Sequence, residues 1–583
     1  SEGRLARRMD EGVDGQYQRY LVSDGAFIRR DFFGKDPRLL ELVAHHSDEQ
    51  LRGLKRGGHD PDKVYAAFKA ALEHAGSPTV VLAHTVKGYG LGEAGEGKNI
   101  THQQKKLNEQ ELREFRTRFA IPLSDEDVAA APFYRPPEES PEVRYLRERR
   151  EALGGYFPVR TVNATPFKAP APSLFEEFFE GTGEREMATT MAFVHLLAKL
   201  LKDPKVGKLV VPIVPDEART FGMESLFRQV GIYSHAGQLY DPVDKESLLY
   251  YKEATDGAIL EEGITEAGGM ASFIAAGTAY SSHGIPAVPF FIFYSMFGFQ
   301  RIGDLIWAAS DMGARGFLLG GTSGRTTLAG EGLQHQDGNS HLLAYPVPNL
   351  KAYDPCFACE LAVIVREGLV RMGERGENLL YYVTVMNEFY KMPALVPGSE
   401  EGILRGLYRF RPARLSKAPV RAALLGSGSI LNETLKAADL LEDRYGVAAE
   451  VYSATSFKEL HREALEADRW NRLHPLDPPR VPHATSTLDG RGDVFVAATD
   501  YVKAVPLSVG RWVPGPFAAL GTDGFGRSDT RQALRSFFEV DARSVVFAAL
   551  SLLAREKKID GGLVRRAAKE LEVDPEKPDP AAS

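Results

Sequence analysis

Short apolar runs alternate with amphipathic stretches along the chain from residue 188 onward. The apolar runs have the length of buried strands and lie at residues 208–214, 287–294, 316–320, 350–354 and 378–385. The stretches between them space their apolar residues as helices do and include residues 188–201, 263–279, 302–312 and 356–370. Strands joined by helices run parallel, because the helix returns the chain to the same edge of the sheet. The pattern predicts an α/β fold with mostly parallel sheets.

Similar signals on either side of this region predict three domains. After a charged connector at 398–419, further strand-like runs lie at residues 420–425, 448–453, 493–498 and 517–521. Nearer the start, a predicted helix over 61–76 precedes an apolar run at 78–86 that has the character of a buried parallel strand. Residues before 61 give mostly helix and turn signals, so we expect the other strands of that sheet outside this sequence. With a proline-rich connection over 129–173, the predicted domains span residues 1–165, 166–397 and 398–583.

Composition excludes several classes of protein. The 583 residues are 43% hydrophobic and 26% charged, and no apolar run approaches the ~18 residues that a membrane span needs. The formal net charge is −8 with both signs interspersed, which leaves no basic face for nucleic acid. Two cysteines, Cys356 and Cys359, are too few for a disulfide framework and fit a reducing cytoplasm. Because a structural zinc site uses four ligands, we expect buried helix cysteines here.

Carboxylates in two segments are candidates for a catalytic or binding role. Asp216 and Glu217 directly follow the strand at 208–214, at the edge where open α/β sheets keep their sites, although a surface turn is the alternative. Glu266 stands in a run of small and apolar residues that opens a helix. A carboxylate in such surroundings is either paired or functional, and it could share a proton with a ring nitrogen. The alternative is an ordinary glutamate that complements the helix dipole.

Aromatic residues and histidines mark three further segments. The aromatic strand at 290–301, which includes Tyr294 and Phe297, overruns its sheet, so some of its rings must face a cleft or a subunit interface. They could hold a flat heterocycle, and the alternative is that they simply complete the core. A long loop at 320–341 contains His335 and His341 beside Gln and Asn, which favours polar substrate contacts over a metal. The glycine-rich segment at 88–106 bears His102 and is typical of a mobile lid, although a lone loop histidine is usually inert.

These motifs together resemble the homodimeric bacterial pyruvate dehydrogenases (acetyl-transferring), a family of transketolase-like thiamine-diphosphate enzymes. The segments that carry the resemblance keep their order over essentially the whole chain and lie at residues 83–90, 98–103, 216–223, 294–303, 320–341, 424–430 and 520–529. The resemblance implies a diphosphate-binding domain, incomplete here, then a pyrimidine-binding domain and a C-terminal domain. It also implies a cytoplasmic homodimer with sites at the subunit interface.

The resemblance assigns residues to the cofactor. Glu266 would contact the aminopyrimidine ring nitrogen of thiamine diphosphate, Phe297 would lie against that ring, and Lys87 would lie close by. Asp216 and Glu217 would contact the site or its lid. The family holds Mg²⁺ and the diphosphate with a Gly-Asp-Gly motif followed by Asn, which this sequence lacks. We therefore expect the metal ligands in a missing N-terminal part, and we expect this chain alone to bind the cofactor poorly.

The resemblance also implies a reaction and a partner. Tyr294, His335 and Lys87 would hold the carboxylate or carbonyl of pyruvate. His102 would transfer a proton when the acetyl unit passes to the lipoyl domain of the dihydrolipoamide acetyltransferase component. The implied function is oxidative decarboxylation of pyruvate, which feeds the formation of acetyl-CoA.

Other functions stay open at this stage. A transketolase-type enzyme would share Glu266, but binding of its sugar phosphates requires clustered Arg and His residues. The sequence contains no convincing cluster of this kind. A truncated scaffold subunit of a multienzyme complex would fit the missing metal motif. A nicotinamide-dependent dehydrogenase is disfavoured, because the glycine turn at 426–429 is an incomplete version of the dinucleotide-binding motif.

Overall fold

The computed structural model describes residues 3–54, 57–103, 106–156, 164–215, 218–242 and 251–583. The chain forms two compact units, Ser1–Val159 and Arg160–Ser583. In the described ranges, none of the helices combines the length and the apolar character needed to cross a membrane.

The first unit is helical in its described residues. Its α-helices are α1 Arg4–Asp10, α2 Asp14–Val22, α3 Gly25–Asp31, α4 Pro37–Leu42, α5 Asp48–Arg52, α6 Pro61–Glu73, α7 Glu109–Arg118, α8 Asp125–Val128 and α9 Pro141–Ala152. A small core of Phe32, Phe33, Leu39, Val43 and Leu51 lies among the first five helices. The predicted helix at 61–76 is confirmed as α6, which begins at Pro61 after Asp60 caps the backbone N–H groups of the first turn.

The prediction of a buried strand at 78–86 is wrong for this structure. The segment has no strand partner among the described residues, and Val80 and Leu82 are 80% and 91% exposed. On α6, Tyr65, Phe68 and Leu72 are exposed as well. An apolar run becomes a strand only when a neighbouring strand takes up its backbone N–H and C=O groups, and the described part of this unit supplies none.

The second unit carries the remaining helices that the structure describes. They are α10 Glu176–Phe179, α11 Thr189–Lys202, α12 Glu224–Val230, α13 Glu266–Ser282, α14 Phe299–Asp311, α15 Ser340–Leu343, α16 Ala358–Leu369, α17 Glu400–Arg405, α18 Ile430–Tyr445, α19 Phe457–Leu473, α20 His483–Leu488, α21 Ala504–Leu507, α22 Arg531–Phe537, α23 Ala542–Arg555 and α24 Gly561–Glu570. The four helices predicted between 188 and 370 are confirmed, with ends that differ by at most three residues.

The first sheet of this unit is entirely parallel. Its strands are β1 Val210–Val214, β2 Leu260–Glu261, β3 Val288–Tyr294, β4 Gly316–Gly321, β5 Leu350–Tyr353 and β6 Leu380–Thr384, in the spatial order β2-β1-β3-β4-β6-β5. The central strands β3 and β4 are almost completely buried, as their continuous apolar sequences require when helices cover both faces. Five of these strands were predicted; β2, two residues long, was not.

The second sheet is parallel except at one edge. Its strands are β7 Tyr408–Arg411, β8 Arg421–Gly426, β9 Ala448–Ser453, β10 Val494–Ala498 and β11 Phe517–Leu520, in the spatial order β7-β9-β8-β10-β11. Strand β7 runs antiparallel to β9 and lies within the segment that was predicted to be a connector. Its sequence Tyr-Arg-Phe-Arg is charged, which suits a sheet edge and hides the strand from an apolar pattern. The α/β class with mostly parallel sheets is thus confirmed.

The two sheets meet at Asp354, which follows β5. Its backbone N–H donates to Thr455 O (2.8 Å) and its carbonyl accepts from Gly428 N (3.0 Å), so the ends of β9 and β8 both lie against it. Its Oδ1 accepts from Thr384 Oγ1 at 2.7 Å. The glycine turn at 426–429 therefore binds the backbone of Asp354, and it also approaches the carboxylate closely, since a Cβ at Gly428 would stand 2.6 Å from Asp354 Oδ2.

Both cysteines are buried free thiols, as predicted. Cys359 lies in α16, whereas Cys356 comes just before that helix and its sulfur is 3.8 Å from the hydroxyl of Tyr390. Burial raises the pKa of both thiols, which keeps them protonated and unreactive near neutral pH.

Replacing Asp354 with asparagine should stabilise the second unit more and more as the pH rises. Burial raises the pKa of Asp354 to about 7, so the folded state still holds the proton where the unfolded state has released it. Wild-type stability therefore falls as the pH rises from the unfolded pKa to the folded one, and an asparagine does not titrate. The advantage of Asp354→Asn should grow by about 2 kcal/mol between about pH 5.5 and about pH 8, because one pKa unit corresponds to about 1.4 kcal/mol.

Urea unfolding at both pH values measures this difference. Asp489→Asn, a change at an exposed aspartate after α20, is the matched control and should show no comparable pH dependence. Equal stability differences for Asp354→Asn at the two pH values would contradict the assignment.

Candidate active site

Glu266 begins α13 and is buried, with 6% of its surface exposed. Thr265 caps this helix by accepting a hydrogen bond from Gly268 N at 3.1 Å. Close packing of α13 on β3 depends on Gly269, because a Cβ there would stand 2.6 Å from the ring of Phe291. The small residues of this segment thus let the helix approach the sheet and bury the carboxylate.

One guanidinium pairs with the Glu266 carboxylate. Arg301 Nη1 lies 3.1 Å from Glu266 Oε1 and 3.0 Å from Oε2. The same guanidinium carbon lies 3.7 Å from the centre of the Phe297 ring, a cation–π contact. The carboxylate has no other hydrogen-bond partner within the described ranges, so some of its acceptor capacity is left for a ligand. Sequence reasoning did not single out Arg301.

Tyr294, Phe297 and His335 form an aromatic cluster beside this pair. The rings of Tyr294 and His335 stack with centroids 5.0 Å apart and planes 9° apart. Phe297 meets His335 edge to face at 5.3 Å and meets Tyr294 at 5.8 Å. His335 Nδ1 lies 3.1 Å from Glu331 Oε2. Glu266 and these three residues, all four predicted for the site, therefore lie together in one region.

The strand that supplies Tyr294 behaves as predicted. Phe290, Phe291 and Phe293 are buried in the core, whereas Tyr294 and Phe297 at its end are only partly buried. Tyr294 is the last residue of β3 and pairs with Gly321, and Phe297 follows the strand, so the run divides into core rings inside β3 and cluster rings at and after its end.

Other polar side chains of the loop at 320–341 turn inward, against expectation. His341 is buried, its Nε2 lies 3.0 Å from Thr384 Oγ1, and burial lowers its pKa to about 3, so it stays neutral. Gln336 is also buried and bonds to the backbone of Leu328. These two residues serve the fold and do not face a substrate, because buried amides and imidazoles take internal partners.

Lys87 and His102 lie in the first unit. Both are exposed, and His102 ends a short 3₁₀-helix, Asn99–His102. Tyr89, within the glycine-rich segment, stacks on His59 with centroids 3.9 Å apart. His59 Nε2 accepts from Val86 N at 2.6 Å. Asp216 and Glu217 lie outside the described residues.

The region around Glu266 fits the flat end of a heterocyclic cofactor. A buried carboxylate with spare acceptor capacity suits a ring nitrogen, and Phe297 offers an aromatic face next to it. The described residues do not fit a metal ion in the same way, because they contain no group of three or more His, Cys, Asp and Glu residues that could hold one.

Comparison with known proteins identifies sequence relatives of this chain. The family described as "Pyruvate dehydrogenase E1 component middle domain" matches residues 173–393, and "Transketolase-like TK C-terminal domain" matches residues 406–541. The pyruvate dehydrogenase E1 component of Pseudomonas aeruginosa is 53% identical over 579 residues, 99% of this chain and 65% of that protein. The one from Escherichia coli K12 is 51% identical over 584 residues, 100% of this chain and 65% of that protein.

Solved structures show the same fold at much lower identity. Transketolase from Leishmania mexicana has a TM-score of 0.56 at 16% identity and covers 88% of this chain and 65% of its own. Transketolase from Campylobacter jejuni has a TM-score of 0.55 at 16% identity and covers 85% of this chain and 66% of its own. The fold is therefore transketolase-like.

The chain spans about 65% of the length of the curated relatives named above. The match to the Escherichia coli relative covers the whole of this chain and therefore extends over both units. The chain is similar to pyruvate dehydrogenase E1 components at about 50% identity over nearly its whole length, and residues 173–393 match the middle domain of that family.

Proposed function

We propose that this chain is part of a thiamine-diphosphate-dependent pyruvate dehydrogenase (acetyl-transferring). The reaction is the oxidative decarboxylation of pyruvate, with transfer of the acetyl group to the lipoyl domain of a dihydrolipoamide acetyltransferase. The observation that carries the proposal is the buried Glu266 carboxylate beside the aromatic cluster, in a chain half identical to pyruvate dehydrogenase E1 components. We further propose a homodimer in the cytoplasm, with domains over 1–165, 166–397 and 398–583.

Glu266 and Phe297 would hold the pyrimidine end of the cofactor. Thiamine diphosphate, when bound, supplies the nucleophile and the electron sink that decarboxylation of a 2-oxo acid needs. Glu266 would hold a proton between its carboxylate and the ring nitrogen, and burial strengthens that hydrogen bond by excluding water. Arg301 keeps the carboxylate oriented through contacts to both oxygens.

Tyr294, His335 and Lys87 would bind pyruvate. The stacked rings of Tyr294 and His335 hold each other in place, which directs the hydroxyl and the imidazole with little loss of entropy on binding. Lys87 would supply a positive charge for the substrate carboxylate. His102 would move a proton when the acetyl group reaches the lipoyl sulfur. Asp216 and Glu217 would contact the site or its lid.

Ligands for Mg²⁺ and the diphosphate would come from residues beyond this sequence. The exposed apolar side chains at 78–86 and on α6 support this part of the proposal, because a parallel sheet would pair the segment and cover that helix face. Binding of the cofactor by the 583-residue chain alone is therefore proposed to be weak.

Glu266→Gln should lower thiamine-dependent turnover of pyruvate by about 100-fold or more, the usual scale for loss of a proton-transferring group. The glutamine keeps the shape of the side chain but can no longer share a proton with the ring nitrogen. Turnover is measured with an artificial electron acceptor, and cofactor binding by calorimetry with Mg²⁺ present. Glu401→Gln, at an exposed glutamate that pairs with Arg405, is the matched control.

These measurements are made without and with a polypeptide that covers the part of the Pseudomonas aeruginosa relative outside the match. Turnover should appear or rise when that polypeptide is added. Equal turnover of Glu266→Gln and wild type would contradict the role of Glu266, and tight binding by the chain alone would contradict the proposed origin of the metal ligands.

His335→Asn should raise the KM for pyruvate and leave the affinity for thiamine diphosphate nearly unchanged. Asparagine retains a polar group but loses the stack on Tyr294, so kcat/KM should fall by about tenfold or more. Tyr294→Phe keeps the stacked ring, and its smaller effect would separate the hydroxyl from the ring. Loss of cofactor affinity without a change in KM would contradict the assignment to substrate.

A further inference from the structure

The loop that carries His335 is long, and its two arms are buried whereas its tip at 330–334 is largely exposed. It connects β4 to β5, and in the arms Thr326, Thr327, Gln336 and Asp337 are at most 1% exposed. A surface loop of this length would leave most of its backbone to solvent, whereas here residues that follow strands of the second sheet contact both arms. Its conformation therefore depends on residues that follow it by more than 150 positions in the sequence.

Asp500 binds the first half of the loop. It follows β10 in the second sheet and is 1% exposed. Its Oδ1 accepts from Thr326 N (2.8 Å) and Thr326 Oγ1 (2.7 Å), and its Oδ2 accepts from Thr327 N (3.0 Å) and Thr327 Oγ1 (2.6 Å). Four donors on one carboxylate fix both the position and the direction of this turn.

Gln336 binds the second half, directly after His335. Its Oε1 accepts from Arg527 N at 2.7 Å and its Nε2 donates to Leu328 O at 2.7 Å. Gly526 lets the two segments approach, because a Cβ there would stand 2.6 Å from Leu333 O. The amide of Gln336 thus joins both arms of the loop to the segment that follows β11 of the second sheet.

His335 itself has few contacts that could hold it. It stacks on Tyr294, meets Phe297 edge to face and lies near Glu331, which belongs to the same loop. Its place against Tyr294 is therefore set by the backbone on either side, at Thr326–Leu328 and at Gln336.

We infer that Asp500 and Gln336 are positioning residues, through which the second sheet holds His335 against Tyr294. None of the residues proposed to touch cofactor or substrate lies in that sheet, so its contribution to the site is to fix this loop. The consequence for catalysis rests on the proposed function, whereas the positioning of His335 does not.

Asp500→Asn and Gln336→Glu test the inference with the shape of each side chain preserved. Asparagine at position 500 replaces one of the two carboxylate oxygens with an NH2 group, which places a donor against the donors of either Thr326 or Thr327. Glutamate at position 336 replaces the NH2 group with an oxygen, which places an acceptor against the acceptor Leu328 O. Thr326→Val and Thr326→Ser form a matched pair, because valine loses the hydroxyl that bonds to Asp500 and serine retains it. Asp489→Asn, at an exposed position, is the remote control.

The readout is hydrogen exchange measured by mass spectrometry on the whole chain, at the C2 position of His335 and at the backbone amides. In Asp500→Asn and Gln336→Glu, amide exchange at 326–337 should rise by about tenfold and exchange at His335 should change, with α13 unaffected. Thr326→Val should behave in the same direction, and Thr326→Ser should restore the wild-type pattern. These results need neither cofactor nor substrate.

Unchanged exchange at His335 in both variants, or an equal rise over the whole second unit, would overturn the inference. If Asp500→Asn does not fold, the two Thr326 variants and Gln336→Glu test the inference by the same exchange measurements. In the pyruvate assay with the added polypeptide, the variants should raise KM and leave the affinity for thiamine diphosphate unchanged. Absence of turnover in wild type would count against the proposed function alone, since the exchange data would still decide the positioning.

Discussion

Buried carboxylates at the junction of the two sheets hold the second unit together in one geometry. Asp354 bonds across the junction through its backbone, to Thr455 and Gly428. The Asp500 carboxylate accepts from Thr326 and Thr327 across it, and the Glu360 carboxylate accepts from Phe357 N within its own helix turn and from Tyr408 Oη and Ser453 Oγ of the other sheet. A buried carboxylate without donors would cost several kcal/mol, so each of these groups permits few relative positions of the sheets. Apolar packing alone would allow the domains to slide, because it has no direction.

The fold followed from the sequence wherever burial alone decides secondary structure. Strands such as β3 and β9 are mostly apolar runs between helices, and their limits matched the prediction to within a residue. The run at 78–86 carries the same signal but is not a strand, because a strand also needs a partner and the described chain offers none. Strand β7 is the reverse case, since its arginines mask a strand that pairing with β9 creates.

The candidate site was predictable only in part. Glu266, Tyr294, Phe297 and His335 were found because each stands in a distinctive local motif and because those motifs together resemble one family. Arg301 and Asp500 were missed, because a single charged residue has no local signature of its partner. Arg301 is 35 positions from Glu266, and Asp500 is 174 positions from Thr326. Such pairs become visible only when the sheets bring their strand ends together.

The cost of building the site is visible in α13. This helix contains Gly268, Gly269 and Gly277, and each glycine inside a helix costs about 1 kcal/mol relative to alanine. Two of them are required by close packing, since a Cβ at Gly269 would meet the Phe291 ring at 2.6 Å and one at Gly277 would meet Arg315 O at 2.8 Å. Because neither position has a Cβ, α13 can pack closely against its neighbours, and this packing buries Glu266 away from water. The helix by itself is therefore less stable than an alanine-rich helix would be. In return, the close packing that its glycines permit fixes the position of the Glu266 carboxylate.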